Sequence, residues 1–360
     1  MPTSDFKSIV SAANRQLGSN GRHRTIGAAQ QANVRFELYH SGPSLCSHKV
    51  RTVMAEKEIP YRSHDLNIMP DRKAIPENYR PSYVRMRLLG NENADFANGY
   101  TGESSVTNQG LDPCVVPTLV DHEQERVVVD STRICEYLEA AVDTGTRLIP
   151  DGLHDAIVEQ DAIVDRAPHV AILYGAHPDE DQRPAGLAAN LQGVQQRKIR
   201  ALNAMLDQLD SDDPLTEAYA AKISKELGSE RFVHDADSMR VAYAAMAAHA
   251  DALEQQLATH SGDWVFGDAF TLADVMWTVS LYRLYWLGLG DTLTIESGRP
   301  RVADYIERAF KRPSFVFAVV DWPFGYSPSP HVPAMNTAGF KLKFLATVLG
   351  RRRWREALFG

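Results

Sequence analysis

The spacing of apolar and polar positions changes character twice along the chain. Residues 1–33 are polar and rich in Ser, Asn, Gln and Gly, with room for a short helix near Phe6–Leu17. That pattern predicts a flexible N-terminal arm. From Arg35 the spacing becomes strand-like. Phe36-Glu37-Leu38-Tyr39-His40 alternates, Ser41–Ser44 carries turn residues, and Cys46–Lys57 places Val50, Val53 and Met54 on one helical face. Tyr61–Ile68 follows as a second strand, so the unit is β-α-β and its strands are parallel. Tyr79–Leu88 holds a helical turn or two. Asn91–Leu111 is polar and long for a loop within a compact domain, and reads as a surface insertion of functional length. Val115–Val120 and Glu125–Val129 form a hairpin across Asp121–Gln124. Asp130-Ser131 then opens a helix over Thr132–Ala141.

After Pro150 the pattern is helical. The predicted helices are His154–Gly175, Leu187–Leu209, Leu215–Glu226, Asp235–His260, Leu272–Leu289 and Arg301–Lys311. In the fourth, Met239, Tyr243, Met246, Ala250, Leu253 and Leu257 step by three or four and mark a core face. The fold class is α/β followed by all-α. A thioredoxin-like domain spans 34–145, with an insertion around 90–111. An all-helical domain spans 150–325, and 326–360 form a basic C-terminal tail.

Charge refines this division. The net charge is −8, which gives no sign of a nucleic-acid partner. Residues 1–33 carry four basic groups and one acidic, and residues 341–360 carry six and one, so an acidic body lies between two basic ends. No apolar run approaches the roughly 18 residues that span a membrane, and residues 1–33 lack the apolar core of a secretory signal. Only three cysteines are present, Cys46, Cys114 and Cys135, with no CxxC pair. This suits a reducing, cytoplasmic setting with free thiols. The twelve histidines show no metal-ligand spacing, so no metal is expected.

Four constellations carry candidate chemistry. Ser44-Leu45-Cys46-Ser47 sits between a strand and a helix, where unpaired N–H groups and the helix dipole stabilise an anion. A thiolate bound there, or formed on Cys46, would have a lowered pKa, with Lys49 and Arg51 adding positive charge. Equally, Ser44 is an N-cap and Cys46 a small buried residue. Val116-Pro117 begins a strand without an N–H donor. A cis bond there would turn the Val116 backbone towards a ligand, and a rigid strand start is the plainer reading. Asp130-Ser131 can hold an α-amino-acid head group, the carboxylate on N–H groups and the Ser hydroxyl, the ammonium on Asp130. It can also be an ordinary helix cap. Thr271-Leu272-Ala273-Asp274 is a structural capping box. Tyr174 and His177 end the first helix of the second domain and are candidates to face a substrate.

In this order and spacing the four together resemble the glutathione transferase superfamily over about residues 35–325. The resemblance rests on SLCSHKVR from Ser44, VVPTLVD from Val115, DSTRICEYLE from Asp130 and FTLADVMW from Phe270. Within it, the S-x-C-S signature is similar to the zeta-like group. PSYVRMRL from Pro81, TGESSV from Thr101, DPCVVPTLVDHE from Asp112, LYGAHP from Leu173 and DVMWTVSLYRL from Asp274 resemble the glutathione-dependent reductive dehalogenases of chlorinated hydroquinones. Maleylacetoacetate isomerases share the S-x-C-S region.

The resemblance implies glutathione as co-substrate, an electrophilic small-molecule substrate and a homodimer. It implies that Ser44 hydrogen-bonds the glutathione thiolate and that Cys46 is the second thiol of a reductive cycle. Val116, before a cis Pro117, would bind the cysteinyl part of glutathione, and Asp130 and Ser131 its γ-glutamyl end. The alternatives are an isomerase or simple conjugating transferase, and a non-catalytic binding module.

The tail interleaves Lys341, Lys343, Arg351, Arg352, Arg353 and Arg355 with apolar residues. It either folds back on the acidic body or makes a weak contact with an anionic membrane surface. Flotation with anionic liposomes, with and without residues 339–360, separates these, and equal flotation of both forms removes the membrane reading.

Overall fold

The computed structural model describes residues 3–17, 23–27, 34–70, 75–100, 102, 105–210, 212–294 and 297–322. The basic tail over 326–360 lies outside them.

The first half is built on a five-stranded sheet. Its strands are β1 (His23–Ile26), β2 (Phe36–His40), β3 (Tyr61–Asp65), β4 (Thr118–Asp121) and β5 (Arg126–Val129), in the order β1-β3-β2-β4-β5. β2 and β3 are parallel, joined by helix α2 (Leu45–Glu56), and β4–β5 is the antiparallel hairpin read from the sequence. Successive side chains of a strand face opposite ways, and both faces here are covered. Phe36, Leu38, Leu119 and Val128 pack with Val50, Val53 and Met54 of α2 and with Ile134 and Leu138 of α5 (Ser131–Ala141). Tyr39, Val120, Val127 and Val129 pack on the other side with Tyr83 and Val84 of α3 (Pro81–Leu88).

That second face also receives the N-terminus, which corrects the expected flexible arm. Residues Thr3–Leu17 form helix α1, and Phe6, Val10, Ala13 and Leu17 are buried against the Tyr39–Tyr83 side of the sheet. β1 adds an antiparallel edge beside β3. Glu37, the polar residue of β2 beside Tyr39, is where α1 is tied down. It is buried, and Asn14 Nδ2 donates to its carboxylate at 3.0 Å and His64 Nε2 lies 2.7 Å from it. Burial opposes its charge, but hydrogen bonds from His122, His64 and Asn14 hold the carboxyl well below its usual range. A buried carboxylate needs such donors, and α1 brings one of them.

The insertion is partly regular. Among its described residues, α4 (Val106–Gln109) is a single turn capped by Ser105, and Phe96 bridges Leu111.

The second half is helical, with three departures from the predicted bounds. The helix expected over 154–175 is two, α6 (His154–Asp165) and α7 (His169–Tyr174). Pro168 stands between them, and a proline inside a helix loses a hydrogen bond and clashes with the preceding turn. The helix expected over 187–209 is α8 (Ala185–Leu191) and α9 (Val194–Leu206), parted at Gly193 with φ 64°. α10 runs on to His234 (Leu215–His234). α11 (Ala236–Leu257), α12 (Leu272–Trp286), α13 (Gly290–Leu293) and α14 (Pro300–Ala309) follow. All 15 residues of α12 are buried, and its first turn carries the expected capping box of Thr271 and Asp274. The α9–α10 pair reaches across the chain: Leu202, Met205 and Tyr219 join the core around α1 and α3, and Tyr219 Oη donates to Tyr79 O at 2.6 Å.

Leu17 is fully buried. Leu17→Ala should therefore cost about 2–5 kcal/mol in urea unfolding. An unchanged midpoint would return these residues to a solvated arm.

Candidate active site

Helix α2 begins at the cavity. Ser44 is its N-cap, with φ −72° and ψ 122°, and its Oγ accepts from Ser47 N at 3.3 Å. The turn that delivers Ser44 is tied from below by Arg51. Its Nη1 donates to Ser41 O and its Nη2 to Gly42 O, both at 3.1 Å, and its Nε donates to Ala318 O at 2.7 Å. Such a clamp fixes where the Ser44 hydroxyl can go.

Cys46, in the first turn of α2, is half-buried. Burial pushes its thiol up from the ordinary value, outweighing the opposite pull of Lys49 and of a hydrogen bond with Ser131. This corrects the lowered pKa expected from the helix N-terminus. Lys49 is itself committed elsewhere, to Asp165 Oδ1 at 2.8 Å. The other oxygen of Asp165 accepts from Thr132 Oγ1 at 2.9 Å, so one carboxylate of α6 binds both α2 and α5. Burial works against the Lys49 charge, yet Asp165 more than offsets it and the ammonium's pKa is raised. Cys114 and Cys135 are fully buried, and burial pushes both thiols up.

The entry to β4 is equally clamped. Asn78 Nδ2 donates to Cys114 O at 2.6 Å, Tyr83 Oη to Val115 O at 2.7 Å and Arg87 Nη1 to Pro117 O at 2.7 Å. The Val116–Pro117 bond is cis. Among the described residues nothing hydrogen-bonds the Val116 main chain between these held neighbours.

Asp130 is the N-cap of α5 in an unusual conformation, φ 77° and ψ 130°. A non-glycine residue held there costs on the order of 1–3 kcal/mol, so its surroundings constrain it. Its Oδ1 accepts from Thr132 N at 3.0 Å and its Oδ2 from Val106 N at 2.8 Å. The insertion thus closes directly onto the residue expected to meet an ammonium.

Two adjoining spaces bring these groups together. Cys46, Val116, Pro117, Asp130 and Ser131 line a narrow cleft beneath Val106. Ser44, Cys46 and Val116 also line a larger cavity of about 240 Å³, with Tyr174 on the far wall. Of the expected residues only His177 lies elsewhere. α7 stops at Tyr174, Gly175 is extended, and His177 turns to pack edge-on against Tyr243 at 5.0 Å.

Sequence reading missed the charged wall of this cavity. Lys222 Nζ lies 2.7 Å from Asp112 Oδ2 and 2.8 Å from Glu226 Oε1, Lys225 lies 3.0 Å from Asp112, and Lys198 lies 3.1 Å from Glu226. Lys198 also donates to Tyr174 Oη at 3.0 Å. The available signal was the spacing of Lys222 and Glu226, one helical turn apart. Arg283 was missed too, although a lone arginine in the apolar run of α12 is unusual.

The model of the glutathione S-transferase N-terminal domain matches residues 43–141, and that of the C-terminal domain residues 188–308. A 2,5-dichlorohydroquinone reductive dechlorinase of Sphingobium indicum is 43% identical over 300 residues, covering 83% of this chain and 86% of that protein. The chain belongs to the glutathione transferase family. A second relative, a tetrachloro-p-hydroquinone reductive dehalogenase of Sphingobium chlorophenolicum, is 28% identical over 296 residues, covering 80% of this chain and 98% of the other. The crystal structure of the beta-etherase LigF from Sphingobium sp. strain SYK-6 aligns with a TM-score of 0.53 at 15% identity, over 79% of this chain and 98% of that one, and shares the glutathione transferase fold. Enzymes of this family use glutathione.

Lys49 and Asp165 are 3% and 14% exposed, so their pairing is a buried one. Asp165→Asn strands the ammonium and should cost about 3–5 kcal/mol. The double change Lys49→Met with Asp165→Leu should recover most of it in urea unfolding. An Asp165→Asn protein as stable as the parent would show that the pair holds nothing together.

Proposed function

We propose that this glutathione transferase removes halide from a halogenated hydroquinone by reduction, using Ser44 and Cys46 in successive steps. The observation that carries the reading is their placement. Both residues open onto one 240 Å³ cavity from the same helix start, and Cys46 and Val116 continue into the cleft at Asp130-Ser131. The 43% identity to a dichlorohydroquinone dechlorinase supports the choice of substrate class.

Glutathione would lie along the cleft. Its γ-glutamyl carboxylate meets Ser131 and the N–H groups opening α5, and its ammonium meets Asp130. Its cysteinyl amide pairs with the Val116 main chain, and its sulfur reaches Ser44. The Ser44 hydroxyl donates to the thiolate and favours ionisation. The thiolate attacks the halogen-bearing carbon. A C–S bond forms, the C–halogen bond breaks, and halide and a proton leave.

Cys46 then attacks the glutathionyl sulfur. The S–S bond forms and the C–S bond breaks, with its electron pair passing to the ring carbon. Cys46 attacks as its thiolate, and the proton it gives up balances the one the ring carbon gains. A second glutathione thiol exchanges with the mixed disulfide, restores Cys46 and releases glutathione disulfide. Two glutathione molecules are consumed for each carbon–halogen bond reduced.

Cys46→Ser should keep the first step and lose the second, so a glutathione–hydroquinone conjugate accumulates from 2,5-dichlorohydroquinone. Acid-quenched wild-type protein should carry glutathione on Cys46 and on neither Cys114 nor Cys135. Ser44→Ala should raise the thiol pKa of bound glutathione by the loss of a hydrogen bond to a charged group, about 1.5–3 kcal/mol. Wild-type release of dechlorinated product by Cys46→Ser would overturn the reductive cycle and favour simple conjugation or isomerisation.

A further inference from the structure

The cavity holds one cation that no carboxylate balances. Its lysines are matched: Lys198, Lys222 and Lys225 each lie within ion-pair distance of Asp112 or Glu226. Arg283 is different. It is 5% exposed and lines the same cavity as Ser44 and Cys46. Its Nη2 donates to Pro43 O at 2.6 Å, and its guanidinium stacks on Trp286 at 4.7 Å. Among the described residues no carboxylate comes within ion-pair distance. A guanidinium has five N–H donors, and protein accepts from one of these. None of its nitrogens is a buried atom without a partner, so the remaining donors open onto the cavity.

A buried cation without a counter-charge is expensive. Here burial lowers the Arg283 pKa to about 10, and no acidic carboxyl restores it. The groups that face it are Tyr174 from α7, Cys46 from α2 and Tyr282 from its own helix, the last two with a thiol and a phenol that burial pushes up, together with His48 and His169, whose imidazoles burial pushes down. An arginine kept in such a place is complementary to an anion that arrives with a ligand. Its guanidinium carbon lies over the Trp286 ring, and the cavity lining includes Leu45, Val170 and Leu173, apolar enough for a ring. On the proposed binding, the γ-glutamyl carboxylate and ammonium of glutathione have partners at α5 and its sulfur has one at Ser44. Of the two anions that remain, the glycyl carboxylate and an oxygen of the aromatic, the position of Arg283 in the apolar-lined cavity and outside the cleft at Asp130-Ser131 favours the aromatic's.

We infer that Arg283 is the anion-holding residue of the substrate cavity, and that the aromatic binds there as its phenolate, with the ring oxygen on the guanidinium edge. This rests on the reading that an aromatic electrophile occupies the cavity. It assigns a partner to an ionisable ring hydroxyl of the proposed substrate class and places that hydroxyl on the α12 side of the cavity.

The test uses 4-nitrophenol, whose colour reports its own ionisation and which carries no halogen to displace. Full-length protein is saturated with S-methylglutathione and the bound phenol is titrated by absorbance. An opposite charge at contact distance lowers a pKa by about 1–3 units, so the phenol should ionise that much lower on the wild type than on Arg283→Met, with Arg283→Lys between them. The same titration on both proteins would overturn the assignment. So would a thiol pKa of bound glutathione that moves in Arg283→Met while the phenol's does not, since the guanidinium would then serve the sulfur. Should Arg283→Met not fold, wild-type protein decides alone. Above the phenol's own pKa it should bind 4-nitrophenolate at least about tenfold more tightly than neutral 4-nitroanisole, and equal affinities reject the inference. Because the probe is inert, a failure of dechlorination and a failure of this assignment are read in separate assays.

Discussion

A single carboxylate sets the geometry on which the site depends. Asp165 ends α6 in the helical half, yet its two oxygens bind Lys49 of α2 and Thr132 of α5 in the other half. Those two helices begin at Ser44 and Ser131. The N-termini that would hold the sulfur and the γ-glutamyl end of one tripeptide are therefore fixed relative to each other by a third helix. Arg51 adds a second tie, from the turn before Ser44 to the carbonyl of Ala318. Glutathione transferases are often described as a binding domain plus a substrate domain. In this chain the first half is also held by ties to its neighbour.

The first half was legible because its signals are local. The β-α-β spacing, the Val116-Pro117 strand start and the Asp130-Ser131 cap each lie within a few residues, and their order along the chain joins them. The N-terminal segment misled for the opposite reason. Its apolar positions, Phe6, Val10, Ala13 and Leu17, are few among polar neighbours, and only the buried Glu37 and its need for donors reveal what they dock against. Pro168 and Gly193 were visible as breakers, but long apolar periodicity on both sides carried the predicted helices through them. The charged wall was legible only in its one local pair, Lys222 and Glu226. Asp112 and Lys222 are 110 positions apart, and no local spacing pairs them.

The insertion changes what kind of cleft this is. Ser105, Val106, Gln109 and Gly110 line it from above, and the Val106 N–H occupies one oxygen of Asp130. Gly110, with φ 86°, lies so close to the carbonyl of Asp95 that a Cβ would stand 2.5 Å from that oxygen. The return of the insertion therefore admits glycine alone without a shift of the backbone. On the proposed binding, an arriving ammonium would share Asp130 with a loop already seated on it, and the roof of the cleft would be part of the site.

The raised pKa of Cys46 also has a meaning for the life of the protein between turnovers. Thiolates are what peroxides and stray disulfides attack, and susceptibility follows thiolate character and exposure. A half-buried sulfur that stays protonated is a poor target for either. If Cys46 is the second thiol of the proposed cycle, the chain keeps it between turnovers in a form that ages slowly.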